Sequence, residues 1–173
     1  MALVYLGLGS NIERERYITA GLDALDAMFG ELAISPVYDC PAIGFSGQPF
    51  LNLVVGINTC LSVGELARQL RHVEYEHGRP ENAARYTSRQ LDIDILTYDQ
   101  LTGVVDGVEL PRGEILENAF VLRPLADLAP AEIHPVVGRS YARLWNDYSM
   151  GQAGLARVRF DWRGREVSAV DQA

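Results

Sequence analysis

An α+β fold, an antiparallel sheet with helices packed on it, is what this sequence predicts, on three observations. Short apolar runs rich in β-branched residues alternate with segments of helical period. Their order reads strand, helix, two strands, helix, strand, with hairpin-like middle strands. The chain has 173 residues, 48% hydrophobic and 22% charged, enough for one substantial core and too few for two ordinary domains.

Leu3 to Gly9 is an apolar run punctuated by glycines and reads as a buried strand entering a turn. Ser10 or Asn11 is expected to cap the next helix, whose Ile18, Leu22, Leu25 and Phe29 keep the helical period up to Gly30. A strand over residues 32–38 follows, then a loop from Cys40 to Pro49 full of turn formers. Phe50 to Thr59 is a strand. Ser62 with Glu65 forms a capping box, opening a helix that carries Leu66, Leu70 and Val73 on one face and ends at Gly78. A polar loop from Arg79 to Ser88 precedes a strand over Leu91 to Leu96. Val104 to Leu110 is expected as a small hairpin, and helices near Glu117 and around Tyr141, Leu144 and Trp145 follow. Residues 156–162 alternate and Arg163-Gly164 can turn them back, so an extra hairpin or edge strand closes the chain. This pattern predicts a ferredoxin-like βαββαβ sheet with helices on one face, a main domain over 1–148 and an extension over 149–173 packed on it.

The net charge of −8 argues against general nucleic-acid binding. No apolar run approaches the ~20 residues that span a bilayer, and the N-terminus lacks the plan of a signal peptide, so a cytoplasmic location is expected. Every basic side chain other than histidine is arginine, which removes a Walker-type lysine. Cys40 and Cys60 have no metal-ligand spacing, and free thiols, buried or half-buried, are expected with a disulfide left open. His72 and His77 fall five apart on one helix and share no face, and His134 sits in a proline-bounded turn; all three read as structural or solvated.

Chemistry concentrates in Leu91-Asp92-Ile93-Asp94-Ile95. On a strand the apolar residues face one way and both aspartates the other, with carboxylates roughly 6.5–7 Å apart. That spacing suits Mg²⁺ ions that also take substrate phosphate oxygens, and equally suits an acidic face meeting water. Arg79, Arg85 and Arg89 lie just before the pair, as polyphosphate transfer needs; surface ion pairing is the bland alternative. Phe50 and Asn52 share a strand face, an aromatic plane beside an amide that suits a flat heterocycle, and Phe120 could stack on the opposite side. Each aromatic alone reads as core rather than as a stacking surface. Gly7-Leu8-Gly9-Ser10-Asn11 lacks the third glycine and lysine of a nucleotide loop and reads as tight packing before a capped helix.

Taken together and in order, Gly7 to Asn11, Gly47-Gln48-Pro49-Phe50-Leu51-Asn52, Arg89 to Leu96, Phe120 to Leu125 and Ala129-Pro130 resemble the 6-hydroxymethyl-7,8-dihydropterin pyrophosphokinases of folate biosynthesis, over about residues 3–135. The resemblance implies diphosphate transfer from ATP, as co-substrate, to a pterin alcohol, with two Mg²⁺ ions. It assigns the metal to Asp92 and Asp94, catalysis to these with Arg79 and Arg89, and the pterin to Pro41, Ala42, Ile43, Phe50, Asn52 and Phe120. It puts Glu74, Arg79, Arg85, Arg89, Ile95 and Arg112 on the ATP side, and implies small-molecule partners only, with a monomer expected and an oligomer left open. The sequence departs from the family in three places. Arg112 stands where a histidine is typical, Asn118 where an arginine is expected, and residues 81–88 lack the usual basic and tryptophan-glycine-proline pattern. Three outcomes stay open: a rebuilt ATP site using Arg112 and charge from Arg157 and Arg159, another donor or pterin, or a pterin-binding paralogue. The first is preferred, because mere pterin binding gives no reason to keep Asp92, Asp94 and Arg89 together. A non-catalytic interaction module would require the whole ordered signature to be accidental.

Overall fold

The computed structural model describes residues 1–40, 47–78, 89–148 and 154–170. Its main sheet is antiparallel throughout. The strands β1 (Ala2–Ser10), β2 (Ala33–Ile34), β3 (Val37–Cys40), β4 (Phe50–Thr59) and β5 (Asp92–Tyr98) are joined by helices α1 (Arg14–Phe29) and α2 (Val63–Glu76). After the small β6–β7 hairpin (Gly103–Val105, Val108–Leu110) come α3 (Glu114–Glu117), α4 (Ala119–Leu128) and α5 (Tyr141–Asp147). The chain ends in β8 (Ala156–Val158), β9 (Phe160–Trp162) and β10 (Arg165–Ser168). The sheet runs β5-β1-β4-β3-β8, with β2 also on β4, which is the ferredoxin-like order extended at one edge.

Strand alternation sorts the apolar residues onto two cores. Val4, Leu6 and Leu8 of β1, Leu53, Val55 and Ile57 of β4 and Ile93 and Ile95 of β5 pack with Ile18, Leu22 and Leu25 of α1 and Leu66 and Leu70 of α2. Val54 and Leu96, one residue out of phase, pack on the opposite face with Leu122 and Leu125 of α4 and Tyr141 of α5. Helices therefore cover both faces, where the βαββαβ pattern alone predicts one. The second layer comes from segments after the pattern ends, and β4 is buried on both sides to accommodate it.

Local details follow the sequence with three corrections. Ser10 and Asn11 do not cap α1; its N-cap is Glu13 in a left-handed conformation with no side-chain bond. The strand expected over 32–38 is split, because Pro36 has no N–H to give a ladder, and the Ser35 hydroxyl instead accepts from the Val54 N–H at 2.8 Å. Both cysteines are free, but Cys60 is exposed rather than buried. The Ser62–Glu65 box forms as expected, with the Ser62 hydroxyl accepting from the Glu65 N–H at 3.2 Å and donating to its carboxylate at 2.9 Å. Gly30, at φ 77, closes α1. Among the described residues no helix is long and apolar enough to cross a membrane.

His134 organises the turn before α5. It is buried, and its Nδ1 accepts from the backbone N–H groups of Val136 and Val137 at 3.2 and 3.1 Å, against the edge of the Tyr141 ring. An Nδ1 that accepts twice must be unprotonated, and burial lowers the pKa of the ring accordingly. The folded state thus disfavours the proton that the unfolded chain takes near pH 6.5. The stabilisation is full above that pH and is lost progressively as pH falls from 6.5 toward the lower folded value, where the unfolded chain binds the proton and the folded chain does not. The melting temperature of His134→Asn, whose amide oxygen can still accept, should accordingly fall less between pH 7.5 and 5 than that of the unaltered protein; parallel curves would remove His134 from the account.

Candidate active site

The register places one row of side chains across the sheet. Asp92 of β5 lies opposite Gly9 of β1, and Gly9 lies opposite Asn52 of β4. Asp94 lies opposite Gly7, which faces Val54. Opposed residues point to the same face, so two carboxylates and an amide share the face that α4 covers only in part. Between them runs a floor of two glycines. A Cβ on Gly9 would lie 2.8 Å from Asn52 Oδ1 and 3.6 Å from the Phe50 ring, so the Asn52 amide lies across the bare β1 backbone. Phe120, Val121 and Glu114 form the far wall of a cleft lined also by Asn52, Asp92 and Asp94.

The charges in the cleft are interlocked. Arg89 reaches Asp92 at 3.4 Å. Arg112 lies 3.0 Å from Glu114 and 3.8 Å from Asp94, and its buried Nε has no hydrogen-bond partner among the described residues. Burial raises the pKa of Asp94, and the neighbouring Asp92 raises it further, while Arg112 acts in the opposite direction. Among the described residues no three carboxylate, imidazole or thiol side chains come close enough to cage a metal by themselves. The donor set fits Mg²⁺ nonetheless, since that ion commonly takes one or two carboxylates and completes its octahedron with water and phosphate oxygens.

The other sequence-predicted residues divide. Phe50, Asn52, Phe120, Asp92, Asp94, Arg89 and Arg112 come together at the cleft and its rim. Glu74 lies behind β5, buried in α2, with its carboxylate accepting from the Ile93 N–H at 2.9 Å. Ile95 points into the core on the opposite face from the aspartates, so only its backbone could meet a nucleotide. Arg159 pairs with Asp161 and Glu166 on the C-terminal hairpin, and Arg157 is engaged with Tyr38 and Asp127, so neither supplies charge to the phosphate side as expected. Pro41, Ala42, Ile43, Arg79 and Arg85 lie outside the described residues.

Three contributions go beyond the sequence expectations. Gly7 and Gly9 form the floor of the cleft, not only a packing contact. Their alternation with Leu6 and Leu8 places them in phase with the aspartates, which is the signal the motif carries. Asn11, expected as a cap, instead bridges two segments: its amide donates to the Gln48 carbonyl at 3.1 Å and accepts from the Arg89 N–H at 2.7 Å. Glu114 holds Arg112, a pairing two residues apart that nothing in the sequence singles out.

Residues 5–130 match the family model described as 7,8-dihydro-6-hydroxymethylpterin-pyrophosphokinase (HPPK). The chain is 37% identical over 138 residues to the 2-amino-4-hydroxy-6-hydroxymethyldihydropteridine pyrophosphokinase of Aquifex aeolicus, covering 79% of this chain and 86% of that one. The Pseudomonas aeruginosa protein of the same name is 37% identical over 131 residues, covering 73% and 80%. In fold the chain is similar to HPPK-DHPS of Plasmodium falciparum, with a TM-score of 0.70 at 13% identity over 97% of this chain. It spans about half the length of that longer protein, 49%. The ordered motifs, the sheet that aligns them and these matches agree: the chain belongs to the HPPK family.

Proposed function

We propose that the cleft transfers diphosphate from ATP to the hydroxymethyl group of 6-hydroxymethyl-7,8-dihydropterin, releasing AMP, as a monomeric cytoplasmic enzyme of folate biosynthesis. The observation that carries this reading is the transverse row: Asp92, Gly9 and Asn52 stand side by side on one face, so a carboxylate pair and a heterocycle-binding amide meet over a floor without side chains. Asn52 would bind the polar edge of the pterin, with Phe50 and Phe120 on its faces and the backbone of residues 41–43 alongside. Asp92 and Asp94 would hold two magnesium ions, which when bound neutralise phosphate charge and hold the β-phosphoryl group in line with the pterin oxygen.

The chain's own residues do the rest by position and charge. Arg89, oriented through its backbone by Asn11, and Arg112, held by Glu114, present guanidinium groups on either side of the carboxylates. Arg79 and Arg85 would add phosphate contacts, and Glu74 supports β5 from behind. The pterin hydroxymethyl oxygen then bonds to the β-phosphorus as the bond from that phosphorus to the α,β-bridging oxygen breaks; AMP departs with that oxygen and the hydroxyl proton passes to solvent. Arg112 takes the place of the histidine typical of the family, and its guanidinium, one-third exposed (33%), can offer terminal N–H groups to a phosphate oxygen.

Incubation with 6-hydroxymethyl-7,8-dihydropterin, ATP and Mg²⁺ should release AMP in step with pterin diphosphate; pterin binding without AMP would replace the enzyme by a pterin-binding paralogue. Arg112→Ala should raise the KM for ATP about tenfold, as expected for one charge-assisted contact of ~1.5 kcal/mol, and leave pterin affinity within a factor of two. An unchanged KM for ATP would show that Arg112 is only a partner for Glu114 and Asp94.

A further inference from the structure

The transverse row does not stop at Asn52. Asn52 lies opposite Tyr38 of β3, and Tyr38 lies opposite Arg157 of β8, so Asp92, Gly9, Asn52, Tyr38 and Arg157 form one line across five strands. Tyr38 is among the largest fully buried side chains of the molecule. Its hydroxyl donates to Asp127 and accepts from Arg123 Nε at 3.0 Å and from Arg157 Nε and Nη2 at 3.2 and 3.1 Å. Both guanidinium carbons also lie 5.7 Å from the centroid of the Tyr38 ring. Asp127 pairs with Arg157 at 3.3 Å and with Arg123 at 3.4 Å, which offsets one of the two positive charges gathered there.

Three elements meet at that hydroxyl. Tyr38 belongs to β3, beside Asn52 and three residues before the 41–43 segment. Arg123 and Asp127 belong to α4, and Arg123 is three residues, one helical turn, beyond Phe120, so all lie on one stripe of the helix. Arg157 comes from the C-terminal strand, 119 residues away from Tyr38 in sequence. A ring sandwiched between Phe120 on the helix and the Phe50–Asn52 face of the sheet needs a gap of roughly 7 Å, twice an aromatic contact distance. The Tyr38 hydroxyl is bonded to both sides of that gap. Ordinary packing could seat α4 on the sheet, but directional bonds to three partners at one atom fix its height and its angle.

We propose that Arg157 and Arg123 are positioning residues for the pterin: through Tyr38 they set the spacing between α4 and the sheet, and the C-terminal strand is thereby a working part of the pterin slot. This inference rests on the pterin reading of the cleft. It predicts a loss confined to one substrate, because the carboxylate pair and the arginines around it lie at the other end of the row.

The test uses the full chain with 6-hydroxymethylpterin, followed by its own fluorescence, and a non-hydrolysable ATP analogue with Mg²⁺. Arg157→Gln should weaken pterin binding about tenfold, leave the ATP analogue within twofold, and keep a cooperative thermal transition. Arg157→Lys keeps the charge but not the fork, and should recover only part of the loss. Should Arg157→Gln fail to fold, Tyr38→Phe carries the test: it keeps the ring in the core, removes only the hydroxyl, and should show the same pterin-selective loss. Equal weakening of both ligands, or none for either, in a folded variant overturns the proposal. If the unaltered chain binds the ATP analogue but no pterin, the functional reading falls and this inference with it; if it binds pterin and the variants match it, this inference falls alone.

Discussion

Replacing Asp94 by asparagine is expected to lower diphosphate transfer by about a thousandfold or more and, at the same time, to make the protein slightly more stable. The first effect follows from the proposed metal role: a carboxylate that holds the ion over the reacting phosphate contributes several kcal/mol to the barrier, and about 4 kcal/mol corresponds to a factor of a thousand. The second follows from where Asp94 sits. It is a largely buried carboxylate beside a second carboxylate, Asp92, with Glu114 and Glu74 also adding negative potential, and Arg112 acting in the opposite direction. The fold therefore disfavours its ionised form, and removing that charge relieves the folded state at pH 7. With 30% of its side chain exposed, solvent screens much of this, so a gain of about 1 kcal/mol, or 2–4 °C in melting temperature, is the expected size. AMP release and thermal unfolding on the same variant check both signs. A destabilised Asp94→Asn would mean that the ion pair with Arg112 outweighs the repulsion, and that the acidic cleft is structural rather than held against the interest of stability.

How much of this is legible in the chain depends on distance along it. The acidic pair, the Phe50–Asn52 face and the Ser62–Glu65 box are local patterns, and strand parity or helix-cap chemistry suffices to read them. The ferredoxin-like order also follows from the sequence of elements, and the expected hairpin over 104–110 forms. What the sequence does not reveal are pairings between remote segments. Asn11 reads as a cap for the nearest helix because Asn commonly caps, yet its amide is engaged by Gln48 and Arg89, 37 and 78 residues away. Arg157 and Arg159 look alike in sequence, but Arg157 ends the row and bonds to the Tyr38 hydroxyl while Arg159 stays at the surface with Asp161. Glu114 escapes notice because its meaning depends on Arg112 and on a cleft wall that forms only when α4 packs on the sheet. Helices on the second face are missed for the same reason: the apolar phase of Val54 and Leu96 points to a second layer only once β4 and β5 are known to flank β1.

The glycine floor yields the other large effect, through Gly9→Ala. The added methyl group would stand 2.8 Å from Asn52 Oδ1, closer than a carbon and an oxygen can approach, with the Phe50 ring 3.6 Å away on another side. The side chain of Asn52 is the nearer and the more movable obstacle, so it yields by rotating its amide away from the β1 backbone. A rotated amide no longer presents its donor and acceptor to the pterin edge, and a recognition site that loses paired hydrogen bonds discriminates by factors far larger than a methyl group alone would cause. Pterin KM is therefore expected to rise about 100-fold, with KM for ATP changed by less than threefold and stability lowered by about 1–3 kcal/mol from overpacking. Gly7→Ala serves as the comparison: the nearest neighbour of its methyl would be the Leu96 side chain at 3.4 Å, an ordinary contact, so pterin KM should change little. If both alanines damage pterin use alike, the cleft needs a bare backbone along its whole length and Asn52 is not the reason; if neither does, the amide lies elsewhere when substrate binds. Only a selective effect at Gly9 ties the missing Cβ to Asn52, and that selectivity turns the G-x-G of β1 from a packing motif into part of the substrate site.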